Sequence, residues 1–137
     1  MLKTLSPYAI AFLLIAAVVH YAYPPLSAQL TAEARPSKLT LFNNTPHTLW
    51  YAAFEQSTAR NVGWKPCDHP DLCPSEGIEP GRSRDIPYTH IYHWYPGARV
   101  TVFWWRLAID STAENGYRVD GMEHLIVATP QKPLLGS

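Results

Sequence analysis

Prolines interrupt this chain at thirteen places in 137 residues, and they argue against a fold built on long helices. A proline fixes φ and lacks the amide proton that a helix interior needs. Short strands joined by turns remain available. The turn chemistry agrees. Asn43-Asn44-Thr45-Pro46, Glu79-Pro80-Gly81 and Pro96-Gly97 each break the chain between more apolar stretches.

Strand patterns lie between those breaks. Residues 38–43 (KLTLFN) alternate, with Leu39 and Leu41 on one side, and residues 48–55 (TLWYAAFE) follow after the turn. The pair predicts a hairpin. Residues 60–64 predict a short strand. Residues 84–88 predict another, which Pro87 confines to an edge or an end. Residues 89–94 predict one helical turn. Residues 99–109 (RVTVFWWRLAI) are apolar on both faces, Val100, Val102 and Trp104 on one and Phe103, Trp105, Leu107 and Ile109 on the other. Such a strand is central and covered on each side. Residues 117–119 and 123–128 predict a last hairpin around Asp120-Gly121. Roughly six or seven short strands at this spacing give an all-β fold, a small antiparallel β-sandwich, with a small open β-barrel as the alternative.

The N-terminus reads differently. Lys3 precedes residues 8–19 (YAIAFLLIAAVV), twelve residues without a charge, and Leu26-Ser27-Ala28 supplies small residues for cleavage. That order is how a secretory signal is built. A spanning helix needs about 20 apolar residues, so an uncleaved membrane anchor is the second choice. The expected organisation is a signal peptide (or anchor) over 1–28, a flexible lead-in over 29–37, the β-sandwich over 38–129 and a loose tail over 130–137. The expected location is periplasmic or extracellular, with membrane contact only through the N-terminal segment.

Charge excludes one class of partner. The formal net charge is zero and the charges are interspersed, so the basic stripe that nucleic acid requires is missing. With 47% apolar and 16% charged residues, the central part of the chain has enough to fold.

Cys67 and Cys73 are separated by five residues (CDHPDLC). In an exported protein two cysteines most often pair, and closing so short a loop contributes about 2 kcal/mol in the chain-entropy model. His90 and His93 would share a face if their segment were helical, and Asp85 could then complete a metal site. Two such ligands do not define a site, and no cofactor is expected. The most distinctive feature is aromatic. In a small β-domain tryptophans usually fill the core, and Trp64, Tyr92, Trp94, Tyr95 and Trp105 are the candidates for a surface that meets a protein partner or a glycan. There is no G-x-S-x-G elbow, no pair of carboxylates placed for glycoside chemistry and no phosphate-cradling loop.

The stretch W-x-P-C at 64–67, then Cys73-Pro74, Glu79-Pro80-Gly81, Pro87-Tyr88, Tyr95-Pro96-Gly97-Ala98 and Trp104-Trp105-Arg106 resembles a pattern of small exported bacterial proteins of uncharacterised function. The resemblance implies a bacterial origin and a self-contained domain, and no activity. The opening of the domain also resembles that of thaumatin-like sandwiches, from which the chain departs in length and in having two cysteines.

These readings lead to an exported, non-enzymatic binding or interaction domain. The alternatives are a membrane-anchored accessory protein, and a small metal- or carbohydrate-binding protein using His90, His93 and exposed aromatics.

Overall fold

The computed structural model describes residues 29–131. The predicted signal over 1–28 and residues 132–137 of the expected tail lie outside the described residues. Six strands are present among the described residues: β1 (Leu30–Ala34), β2 (Lys38–Asn43), β3 (Trp50–Glu55), β4 (Ser83–Pro87), β5 (Arg99–Ile109) and β6 (Tyr117–Ala128). They form two antiparallel sheets, ordered β1-β2-β4 and β3-β5-β6. The all-β reading is correct.

The register explains the core. Ala34 and Ile86 flank Leu39 in the first sheet, and Ala32 and Arg84 flank Leu41. Tyr51 faces Trp104 in the second sheet, while Ala53 and Leu125 flank Val102. Because side chains alternate along a strand, each set lies on one face. The two faces meet in one cluster that includes Leu30, Leu39, Leu41, Ile86, Val100, Val102 and Trp104. Leu39, Leu41, Val100 and Val102 are fully buried. Each such aliphatic side chain contributes roughly 1.5–3 kcal/mol by leaving water.

Several sequence expectations need correction. The lead-in is not loose, since residues 30–34 form β1 and pair with residues 39–43 of β2. Leu30 caps the core and Ala32 and Ala34 pack against it, a short alternation that the flanking polar residues disguise. The predicted hairpin of 38–43 with 48–55 does not form, because β2 and β3 belong to different sheets. Asn43 is the cause. Its buried amide donates to the carbonyls of His47 (2.7 Å) and Ile78 (2.8 Å), and its Oδ1 accepts from the Thr45 amide (2.9 Å) and hydroxyl (2.7 Å). The chain therefore turns away from the first sheet, and Leu49 pairs with Ile78. Residues 117–128 are one strand, not a hairpin. Gly121, at φ 64°, absorbs a bulge opposite Trp105 where a turn was expected. The predicted strand over 60–64 does not form: a short helix, α1 (Gln56–Asn61), ends there and residues 62–64 are irregular.

The expectation for β5 is correct in its first half. It is the central strand of its sheet, and Trp105, on the face away from the core, is 2% exposed. Ile109 at its end is 84% exposed, so coverage on both faces stops short of the strand's end. β4 is an edge strand that ends at Pro87, as its proline requires.

Candidate binding cleft between the short helix and the Tyr92-His93 turn

The outer face of the second sheet carries an aromatic layer. Trp64 packs on Phe103 (ring centroids 4.7 Å apart), Phe54 (5.3 Å) and Trp105 (5.8 Å). The Trp105 indole donates to the Cys67 carbonyl at 3.0 Å. Cys67 and Cys73 stand at disulfide distance, with Cα atoms 5.2 Å apart. The loop that carries them is thus tied down twice, by the cysteine pair and by the Trp105 indole. A three-residue 3-10 turn (Pro70–Leu72) fills it, with the His69 ring accepting from the Asp71 amide.

The structure separates the five surface candidates, and core packing is the right reading for Trp105. Trp105 is buried beneath the loop and cannot face a partner. Trp94 belongs to the inside of the fold. It stacks on buried Tyr88 at 4.8 Å and donates to the Thr129 hydroxyl at 3.0 Å. Trp64 is half-buried as the lid of the layer. Tyr95 is 56% exposed, and no ring contact joins it to the others among the described residues. Tyr92 is 55% exposed and meets the layer edge-on through Phe54, at 6.4 Å. Of the five, Trp64 and Trp105 are in ring contact, and Tyr92 reaches the same layer through Phe54.

Tyr92 owes its position to the backbone. The Glu55 amide donates to the Tyr92 carbonyl at 3.0 Å, in a parallel bridge between residues 54 and 92. That contact sets the Tyr92-His93 segment against the start of α1. The helix begins there because Glu55 caps it. Glu55 Oε1 accepts from the Ser57 amide (2.9 Å), and Oε2 accepts from the Thr58 amide (2.9 Å) and from both hydroxyls of Ser57 and Thr58. These side-chain oxygens satisfy amides that a helix start otherwise leaves without partners. The hydroxyl and amide of Ser57, with help from Thr58, hold the Glu55 carboxyl down to about 2 against the opposing effect of burial.

The predicted helical turn over 89–94 is only partly present. Tyr88–His90 is a 3-10 turn, and the chain then bends so that the Trp94 amide donates to the Ile91 carbonyl. His93 has φ 60°, the only positive φ outside glycine among the described residues. A tight turn with positive φ at its third position favours glycine or asparagine, so a histidine there is uncommon. The two histidines consequently do not share a helical face. Asp85, the third ligand suggested by sequence, accepts from Lys38 Nζ (3.0 Å) and the Thr40 hydroxyl (2.8 Å) on β2. Those bonds, Thr40 first, hold its carboxyl below the usual range. His90, His93 and Asp85 do not converge, and no group of three metal-ligating side chains forms among the described residues.

What does form is a cleft of about 330 Å³ lined by Ser57, Thr58, Asn61, Val62, Tyr92 and His93. The His93 ring lies against Tyr92, with centroids 4.2 Å apart and planes 17° from parallel. Its Nδ1 is 3.2 Å from Thr58 Oγ1. Sequence reasoning identified Tyr92 and His93 but missed the helical wall, because residues 60–64 read as a strand. The signal was Glu55 followed by Ser57 and Thr58, a carboxylate with two hydroxyl residues where a strand runs out. The result is a small all-β domain bearing one short helix and a mixed polar and aromatic cleft beside it. No protein-family model, no curated protein and no solved structure matches this chain.

Proposed function

We propose that this protein is an exported, non-enzymatic binding domain that takes its ligand in the cleft between α1 and the Tyr92-His93 turn. The observation that carries the reading is Tyr92. A large ring stands at the mouth of a cleft, more than half in solvent, on a backbone bridged to β3 and with its ring against His93 and Phe54. A preordered aromatic ring offers contact area at low entropic cost to whatever binds it. The carboxylate with the most perturbed ionisation, Glu55, spends its oxygens on capping α1, which favours binding over acid-base chemistry. Export is supported by the apolar run at 8–19 and by the paired cysteines, which persist in oxidising compartments.

The test is a binding screen of the purified protein against immobilised glycans and peptides, repeated with Tyr92→Ala. A hit that weakens about tenfold or more in a variant with an unchanged melting profile supports the reading. A hit that Tyr92→Ala leaves intact places binding elsewhere and overturns it.

A further inference from the structure

We infer that the ligand of this cleft is a neutral carbohydrate, held by His93 acting as a hydrogen-bond acceptor through Nε2. The inference rests on reading the cleft as a binding site. It starts from the hydrogens available. Glu55 is ionised at neutral pH and can only accept. Thr58 has a single hydroxyl hydrogen, and we assign it to Glu55 Oε2, 3.1 Å away, which also accepts from the Ser57 hydroxyl and the Thr58 amide. Thr58 Oγ1 is then left with lone pairs alone toward His93 Nδ1, 3.2 Å away. With that assignment, the hydrogen of the Thr58–His93 contact comes from the imidazole. Neutral His93 is therefore fixed as the Nδ1–H tautomer, and Nε2 keeps a lone pair. The partner of one ring nitrogen decides what the other can do.

The ring is also held in place. The left-handed backbone at His93 sets where the side chain leaves the chain, Tyr92 covers one face, and Thr58 fixes the rotation through Nδ1. No hydrogen bond engages Nε2 among the described residues, and His93 is exposed. The remaining walls select the ligand class. The lining holds no carboxylate, lysine or arginine, only the imidazole, hydroxyls, an amide, an apolar Val62 and an aromatic ring. A cleft built this way suits a neutral molecule with hydroxyl donors and an apolar face. A pyranose has both, donating to Nε2 and lying against an aromatic ring. The volume falls at the small end of ligand sites, and the cleft is shallow and open to solvent.

The experiment is long-range ¹H–¹⁵N correlation on the full chain, titrated with the methyl glycosides of glucose, galactose, mannose and N-acetylglucosamine. The expected result is a proton on Nδ1 of His93 and a saturable shift of the Nε2 signal with at least one glycoside. Thr58→Val, which keeps the capping amides, should move the proton to Nε2 and weaken binding about tenfold. Thr58→Ser should restore both. A wild-type proton on Nε2 overturns the inference, and so does an Nδ1–H tautomer with no response to any of these glycosides. Peptides from the screen keep the two claims separate. A Tyr92 response to peptides alone refutes the sugar and keeps the cleft, whereas no response to either refutes both.

Discussion

Glu55 stands where β3 hands the chain to α1, and its titration should be visible in stability. Its folded value of about 2 lies below the ordinary 4.5. A depressed carboxylate contributes stability that is complete above the unfolded value and disappears as pH falls through the folded one. The loss attributable to Glu55 should therefore fall between about pH 4.5 and pH 2. Asp85 and Asp110 are lowered as well and act in the same direction, so the informative quantity is the difference between two proteins. Urea unfolding of the wild type and of Glu55→Gln across pH 2–6 should converge at the acid end and separate as pH rises. At neutral pH, Glu55→Ala should cost about 1 kcal/mol, the usual loss for a removed N-terminal cap. Equal costs for either variant at pH 2 and pH 6 would refute the capping assignment. At this scale the sequence was half legible. Tyr92 and His93 stood out by type, but the hydroxyl of Thr58 gains its meaning from a partner 35 positions away.

Elements were legible where one pattern dominated. The two-sided apolar run of β5 and the proline-limited β4 needed no tertiary information. The hairpins failed because a turn signal says that the chain bends, not which strand it rejoins. Asn43 routes it to the other sheet, and Gly121 converts an expected turn into a bulge. Gly121→Ala tests the second point. A Cβ there would meet only Arg106 side-chain atoms at 3.7 and 3.8 Å, so the cost is conformational. A left-handed non-glycine residue costs roughly 1–2 kcal/mol, which chemical denaturation should read as a lower midpoint with an unchanged slope. A neutral substitution would mean that β6 is regular at that position. The cysteine loop belongs to this scale too. Replacing Cys67 and Cys73 with serine should cost about 2 kcal/mol. The sheets should persist by circular dichroism, because the core cluster contains neither cysteine. Trp105 fluorescence should change, since its indole bonds the Cys67 carbonyl. Loss of the whole fold would contradict that separation.

For the whole molecule, the sandwich followed from turn spacing and alternation, while its true start did not. β1 begins at Leu30, two residues beyond the expected cleavage after Ala28. N-terminal sequencing of exported protein should find Gln29 first. A start at Met1 in a membrane fraction would favour the anchored alternative. The central claim, that ligand is taken beside α1, is tested most directly by a chemical-shift map of the full chain with the strongest hit from the binding screen. The account predicts saturable changes confined to residues 57–62 and 92–93. Changes centred on the exposed β6 face around His124 and Ile126 would contradict it.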